Sequence, residues 1–226
     1  MHVLIDILYE IMYWLFGMLM VFTHGFRVSG ARHVPQSGPV LLIANHQSYF
    51  DVVPLGLAAR RRIYYLAKLP LFRSNLLAGI MRIFGHVPVD NSGFSRSSFA
   101  GILDYFNQGK MVLVFPEGER CWDGKLNELK PGIALVIKKA KVTIVPIGVA
   151  GVFETWSRFR KWPILAPPFL SWSRARMAAV VGEPLDGALL AGMPRDEMMN
   201  VLTMALAKVV AQAERLRGNV CISRDM

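Results

Sequence analysis

The sequence predicts one α/β domain, with a mixed, mostly parallel β-sheet flanked by helices and preceded by an apolar helix. The chain has 226 residues, a length that suits a single hydrophobic core. From Gly38 onward, short β-branched runs alternate with helical patterns, as expected for strands joined by helices. Residues 3–22 form a mostly apolar run, long enough for a helix that crosses a bilayer.

The alternation of patterns sets the position of each element. Strands are expected at residues 40–44, 63–67, 86–89, 111–115, 143–149 and 177–181. Helices are expected at residues 51–59, 72–84, 95–106, 132–140 and 196–216. The sequence has no internal repeat, low-complexity tract or Gly/Ser linker, so we assign residues 31–226 to one domain.

Residues 1–30 are expected to form a membrane-associated helical segment. Asp6, Glu10, Tyr13 and Gly17 recur at helical spacing and would line one face, while the other faces are apolar. This pattern favours a helix lying in the membrane interface, and it leaves open a spanning helix or a helix docked on the protein's own core. A secretory signal is disfavoured because no basic stretch precedes the apolar run.

The charge of the chain favours a polyanionic partner. The formal net charge is +10 and 53% of the residues are hydrophobic, which suits nucleic acid or an anionic membrane surface. Residues 153–162, continuing to Phe169 and Trp172, mix bulky rings with cations, as interfacial anchors do. The alternative is that the rings are core and the cations are solvated. No zinc-finger, RNP-type or helix-turn-helix pattern occurs, so nucleic acid is not expected.

A histidine and an aspartate stand five residues apart, directly after the predicted strand 40–44. Neutral imidazole can accept a proton from a hydroxyl near pH 7, which makes His46 a candidate general base. The carboxylate of Asp51 can reach back to the other ring nitrogen and fix its tautomer. No Gly-x-Ser-x-Gly elbow surrounds Ser48, so the attacking hydroxyl is expected to come from a substrate. The spacing alone is a weak signal, which also fits a non-catalytic histidine.

Charged residues also follow the predicted strand 111–115. Two carboxylates, a guanidinium and a glycine there can hold a hydroxylated, anionic ligand. Lys130 stands before the predicted helix 132–140, whose free N–H groups would add to an anion site. A charged turn with internal ion pairs is the alternative interpretation. Since the sequence has no zinc-ligand spacing and no Walker or Gly-x-Gly-x-x-Gly pattern, neither a metal nor a nucleotide cofactor is expected.

Four sequence blocks occur in order between residues 39 and 150. They are Asn45-His46 followed by Asp51, Gly85-His86-Val87-Pro88-Val89-Asp90, Phe115-Pro116-Glu117-Gly118-Glu119-Arg120, and Val145-Pro146-Ile147-Gly148. Together they resemble the 1-acylglycerol-3-phosphate acyltransferase family of glycerolipid acyltransferases. The joint match at these spacings is far more specific than any single block.

The resemblance implies transfer of a fatty acyl group from acyl-CoA or acyl-ACP to the free hydroxyl of a lysophospholipid. With 1-acyl-glycerol-3-phosphate as acceptor, the product would be phosphatidic acid. His46 would act as base with Asp51 as its partner, without a covalent acyl-enzyme and without a cofactor beyond the acyl carrier. The residues assigned to substrate binding are Asn45, Glu117, Gly118, Arg120 and Lys130. Membrane lipids are the expected partners, at the cytoplasmic face of the inner or plasma membrane.

Two positions depart from the family pattern. Asn91 stands where family members often carry an arginine, and Glu119 replaces the usual threonine. Arg96 or Lys130 would then supply the missing positive charge. These departures leave open another acceptor, such as a lyso-ornithine lipid or another lysolipid, and a non-catalytic lipid-binding protein of the same fold is a further alternative.

Overall fold

The computed structural model of the chain describes residues 2–68, 86–89, 96–165 and 176–218. The strands in these residues are β1 Arg27–Ser29, β2 Val40–Ala44, β3 Ile63–Lys68, β4 His86–Val89, β5 Met111–Val114, β6 Thr143–Ala150 and β7 Ala178–Val181. The helices are α1 His2–His24, α2 Val52–Ala59, α3 Arg96–Asn107, α4 Gly132–Ala140, α5 Val152–Trp156, α6 Gly187–Gly192 and α7 Arg195–Leu216. Short 3-10 turns lie at Ala31–His33 and Tyr49–Asp51.

The strands form one sheet in the order β1-β7-β6-β2-β5-β3-β4. Strands β6, β2, β5, β3 and β4 run parallel, whereas β7 is antiparallel to β6 and parallel to β1. This topology confirms the predicted mixed, mostly parallel α/β sheet. Because Ile43 of β2 pairs with Val114 of β5, these two central strands end side by side.

Strand β2 is buried on both faces, as its unbroken apolar sequence requires. Leu42 lies in the hydrophobic cluster that includes residues of α1 and α2, and Leu41 and Ile43 lie in the cluster with α3, α4 and α7. All five residues of the strand are at most 1% exposed. The loop that follows β2 therefore starts from the most tightly held part of the sheet.

The predicted elements agree with the structure to within one residue at each end, except that α1 extends beyond 3–22. The predicted helix at 72–84 lies outside the described residues. The elements that were not predicted are β1, α5 and α6, which are too short to show a hydrophobic period. Strand β1 falls within the predicted N-terminal segment 1–30 and pairs with β7. The division of the chain at residue 30 stays a prediction.

Helix α1 packs on α2 through part of its polar stripe. The Tyr13 hydroxyl donates to the Leu57 carbonyl at 3.2 Å, and Gly17 lies against the Leu57 side chain. The other faces expose large apolar side chains, among them Ile11, Trp14, Leu15, Met18 and Phe22. The stretch Ile7–His24 is long and apolar enough to cross a membrane, and 11% of it is buried. A helix docked on the protein's own core therefore accounts for one narrow face only.

The aromatic and basic segment after α5 is also exposed. Trp162 is 82% exposed and Phe159 is 64% exposed, which contradicts the alternative that these rings belong to the core. Phe153 is half-buried. Phe169 and Trp172 lie outside the described residues. The described part of the segment therefore has the exposed aromatic side chains that an interfacial anchor requires.

Gly148 allows β6 to touch the backbone of α7, which makes it a sharp test of this packing. A Cβ at this position would lie 2.4 Å from the carbonyl carbon and oxygen of Val209. We expect Gly148→Ala to lower the free energy of unfolding by about 1–3 kcal/mol, since the helix must move away from the sheet. Urea denaturation followed by circular dichroism measures this change.

Gly56→Ala is the matched control, because among the described residues no atom outside the adjoining turns of α2 lies within 4 Å of the added methyl group. Alanine also has the higher helix propensity, so this variant is expected to be neutral or slightly stabilised. Equal stability of the two variants would contradict the proposed close packing at Gly148.

Candidate active site

The loops that follow β2 and β5 carry the polar residues at one edge of the sheet. Since these strands are parallel neighbours, the loop beginning at Asn45 and the loop beginning at Phe115 meet. The main-chain amide of Cys121 donates to the His46 carbonyl at 2.8 Å, which joins the two loops directly. The structure therefore brings the first and third sequence blocks into one site.

His46 and Asp51 form the pair that their spacing predicts. The distance from His46 Nδ1 to Asp51 Oδ2 is 2.8 Å. The same oxygen accepts hydrogen bonds from the main-chain amides of Gln47 and Ser48, at 2.7 and 2.8 Å. The 3-10 turn Tyr49–Asp51 closes on Ser48 through a capping box and turns Asp51 back toward the histidine.

The carboxyl of Asp51 is fully buried. Burial raises its pKa, and the hydrogen bonds from His46 and the two amides oppose that rise. Because Oδ2 accepts three N–H donors, it acts as acceptor for the Nδ1 proton of His46. This contact fixes the tautomer in which Nε2 carries the free lone pair.

The imidazole of His46 is held in place on its face as well as at Nδ1. It stacks on the Phe115 ring with centroids 3.9 Å apart and the planes 12° from parallel. The side chain is 18% exposed. Within the described ranges, Nε2 has no hydrogen-bond partner, so it is open to a substrate.

Glu117 lies beneath His46 and not on the open side of the site. Its Oε1 accepts the main-chain amide of His46 at 2.6 Å, and its Oε2 accepts that of Asn127 at 2.7 Å. The residue is 1% exposed, and burial raises its pKa to about 7 against the opposing effect of the two amides. Both oxygens of Glu117 hold main chain and thereby support the position of His46, whereas its part in acceptor binding stays a prediction.

Asn45 also serves the main chain. Its Nδ2 donates to the Val149 carbonyl at 2.9 Å, and its Oδ1 accepts the Val149 amide at 2.8 Å. The side chain is buried at the end of β2 and bridges to β6. Both ends of the amide group thus bind Val149, and the expected contact between Asn45 and substrate stays a prediction.

Two further residues of the first block connect neighbouring loops, a role that the sequence did not reveal. Gln47 donates to the Gly124 carbonyl and accepts the Phe153 amide, both at 3.2 Å. The Ser48 hydroxyl donates to the Trp156 carbonyl at 2.6 Å. Their position inside the block was the only available signal, since the partner carbonyls lie far away in the sequence.

Gly118, Arg120 and Lys130 lie on the accessible side of the site. Gly118 has φ +75°, and its Cα faces the side chain of Lys130, which is exposed. The Lys130 amide donates to the Pro116 carbonyl at 2.7 Å. The guanidinium of Arg120 lies 3.7 Å from the centroid of the Tyr49 ring. These three predicted binding residues therefore remain available to a ligand.

A second pair of a cation and an aromatic ring involves Trp122, which directly follows the third block and Cys121. Arg158 lies 3.7 Å from the centroid of the Trp122 ring, and its Nη2 donates to the Arg120 carbonyl. Neither Arg158 nor Tyr49 was predicted as a site residue. Arg158 is 38 residues away from Arg120, so no local sequence pattern could connect them.

Comparisons with known proteins identify the family of this chain. The acyltransferase family model matches residues 25–150, which include both members of the His46 and Asp51 pair. The 1-acyl-sn-glycerol-3-phosphate acyltransferase of Bacillus subtilis is 25% identical over 191 residues, which cover 84% of this chain and 88% of that protein. The human 1-acyl-sn-glycerol-3-phosphate acyltransferase alpha is 30% identical over 131 residues, covering 56% of this chain and 46% of the human protein.

A plant enzyme and a solved structure are also similar to this chain, over different shares of their length. The chloroplastic enzyme LPAT1 of Arabidopsis thaliana, another 1-acyl-sn-glycerol-3-phosphate acyltransferase, is 30% identical over 55% of this chain and 35% of its own length. The chain thus matches a third to a half of the plant and human proteins. The crystal structure of the 1-acyl-sn-glycerophosphate acyltransferase PlsC from Thermotoga maritima shares the fold, with a TM-score of 0.66 and 22% identity, covering 86% of this chain and 73% of that one. Because the family model spans more than half of its residues, the chain belongs to the acyltransferase family and is an O-acyltransferase.

Proposed function

We propose that the protein transfers a fatty acyl group from acyl-CoA or acyl-ACP to the free hydroxyl of a lysophospholipid. The proposed acceptor is 1-acyl-glycerol-3-phosphate, which gives phosphatidic acid. The observation that carries this proposal is the His46 and Asp51 pair, with Nδ1 bound at 2.8 Å and Nε2 open. The names of the Bacillus subtilis, Arabidopsis and human relatives support the choice of acceptor.

The reaction begins when the acceptor hydroxyl approaches Nε2 of His46. As its oxygen attacks the thioester carbonyl carbon, Nε2 takes the hydroxyl proton, and Asp51 stabilises the imidazolium that forms. The tetrahedral intermediate then expels the thiolate of the carrier, the carbon–sulfur bond breaks, and the proton passes from Nε2 to the sulfur. The products are the ester and the free carrier thiol.

No protein nucleophile is needed for this chemistry, and the nearby candidates do not fit one. Burial raises the pKa of Cys121 to about 11, which keeps its thiol neutral. The buried Ser48 hydroxyl donates to the Trp156 carbonyl. Direct transfer between the two substrates is therefore favoured over a covalent acyl-enzyme.

Arg120 and Lys130 are proposed to bind the anionic headgroup of the acceptor, with Gly118 allowing close approach. A guanidinium can grip two phosphate oxygens at once. Glu119 is exposed between Gly118 and Arg120, and it places a negative charge beside them. This charge favours a second candidate acceptor class, a lysolipid whose headgroup is not a phosphate monoester.

Membrane association is proposed to involve α1 and the exposed aromatic and basic segment after α5. The ring of Phe50 lies between those of His24 and Trp156, at centroid distances of 6.5 and 6.0 Å. The end of α1 is thus close to the loop that carries Asp51. An apolar helix and interfacial aromatic side chains at this place would hold the site at the cytoplasmic face of the inner or plasma membrane.

Removing the general base tests the catalytic assignment. We expect His46→Ala to lower kcat by a factor of roughly a hundred to ten thousand, since proton transfer to a positioned base contributes about that much. Asp51→Asn should be nearly as damaging, because the tautomer is no longer fixed. The assay uses labelled acyl donor and lysolipid with products resolved by mass, and circular dichroism confirms folding. Wild-type turnover by folded His46→Ala protein would show the assignment to be wrong.

Glu117→Gln tests the positioning of the His46 main chain. Glutamine offers one acceptor oxygen where two amides need one each, so a buried N–H loses its partner at a cost of about 1–3 kcal/mol. We expect lower stability and lower kcat, with little change in the KM for acceptor.

The pH dependence of that variant supplies a second measurement. The pKa of Glu117 is about 7 in the folded protein and 4.5 ordinarily, so the folded state binds the proton more tightly. The stability that wild type gains from this group is present below about pH 4.5 and is lost as the pH rises through 7. The free energy of unfolding of wild type should therefore exceed that of Glu117→Gln by a larger amount at pH 5 than at pH 8. A constant advantage would contradict the buried carboxyl.

Deletion of α1 tests its role in membrane association. We expect a chain that starts after His24 to move largely from the membrane to the soluble fraction, because the apolar faces of the helix are lost. A matched control replaces the exposed Glu10 with Gln in the full chain and should leave the distribution unchanged. An unchanged distribution of the truncated protein would contradict the proposed anchor.

A further inference from the structure

A second guanidinium stands beside the proposed headgroup ligand Arg120. Arg158 follows α5, and its Nη2 donates to the main-chain carbonyl of Arg120. Its guanidinium lies over the Trp122 ring, as that of Arg120 lies over the Tyr49 ring, each at 3.7 Å. The Arg158 side chain thus reaches the main chain of Arg120, and each of the two guanidinium groups lies on an aromatic side chain.

Neither of these two arginines forms an ion pair with a carboxylate in the described part of the chain. Arg217 shows the contrast, since its guanidinium contacts Glu154 and Glu214 at 2.6 Å each. Glu154 lies on α5, close to Arg158 in sequence, and its carboxylate already pairs with Arg217. Two guanidinium groups on joined loops, with no carboxylate paired to either among the described residues, form a local excess of positive charge, which an anion would neutralise.

Stacking prepares these groups for an anion. A guanidinium that lies over a ring keeps the N–H donors of its edge free for ligands in its own plane. The rings also limit the rotamers of both side chains, so less conformational entropy is lost on binding. Phosphate oxygens match the fork of an arginine in a bidentate way, and two arginines can together engage the oxygens of one phosphate monoester.

We propose that Arg158 determines acceptor specificity by binding, together with Arg120, the phosphate headgroup of the lysolipid. This inference rests on the proposed function, because it names a further ligand of the same acceptor. It assigns recognition of the phosphate to two arginines from separate loops, which the hydrogen bond from Arg158 to the Arg120 carbonyl joins. Trp122 and Tyr49 are positioning residues that hold these guanidinium groups.

The experiment compares two acceptors with the same acyl chain, 1-acyl-glycerol-3-phosphate and the neutral monoacylglycerol. Arg158→Gln removes the charge, and Arg158→Lys keeps the charge but loses the fork and much of the stacking. We expect kcat/KM for the phosphate acceptor to fall roughly tenfold or more in Arg158→Gln, as for a lost charged hydrogen bond. Arg158→Lys should lie in between. The value for monoacylglycerol and the KM for acyl donor should stay at wild-type levels.

Arg160→Gln is the matched control, because it removes the same charge from the same exposed segment two residues further on. It should leave the preference for the phosphate acceptor unchanged, which separates a specific ligand from general attraction to an anionic membrane. Equal losses in Arg158→Gln and Arg160→Gln would overturn the inference.

The remaining outcomes distinguish this inference from the proposed function. If Arg158→Gln slows transfer to both acceptors equally, Arg158 is only a structural support of the loop, and the inference is wrong. A rise in the KM for acyl donor alone would move Arg158 to the donor site and also overturn it. In both cases the proposed function stands, because wild type is active. A wild-type protein that transfers no acyl group to either acceptor would overturn both.

Discussion

The buried carboxylate of Asp51 accepts three N–H donors on one oxygen, and the shape of the catalytic loop depends on it. The His46 ring, the Gln47 amide and the Ser48 amide all converge on Oδ2. A carboxylate at zero exposure is stable only when such donors compensate for the lost water. The loop therefore folds around the Asp51 carboxylate, and the His46 ring is oriented so that its Nδ1 faces Oδ2. The ring orientation and the tautomer of His46 thus depend on this carboxylate.

A second buried carboxylate fixes the loop from the other side. Glu117 holds the main chain of His46 and that of Asn127, while Asn45 joins the end of β2 to Val149 on β6. Gln47 and Ser48 reach the segments around Gly124 and Trp156. These polar side chains near His46 thus bind main-chain groups of neighbouring segments. The cations Arg120, Lys130 and Arg158 lie outside this frame, and they are the residues that we propose to bind the headgroup.

The strands of the sheet could be predicted from the sequence because they are continuous apolar runs, and β2 is the clearest example. The sequence was sufficient for His46 and Asp51 because a turn of a few residues connects them. It did not indicate the main-chain contacts of Glu117 and Asn45, since a carboxylate or an amide in a motif looks the same whether it faces a ligand or a main-chain amide. Arg158 escaped prediction because its contact with Arg120 depends on how the loop after α5 folds over the third block. The sequence thus indicated which residue types lie near the site. The direction in which each side chain points depends on the packing of the folded chain.

The placement of α1 has a kinetic consequence. Its end lies next to Phe50, adjacent in sequence to Asp51, and its outer faces are apolar. In the proposed membrane-bound enzyme, the site would meet its lipid acceptor by lateral diffusion within the bilayer. The variable that then governs saturation is the mole fraction of acceptor in the surface, and inert lipid acts as a diluent even when the total amount of substrate is constant. For a fixed number of acceptor molecules, a smaller bilayer area for each enzyme would raise the rate at which enzyme and acceptor meet. The chemistry at His46 would not change.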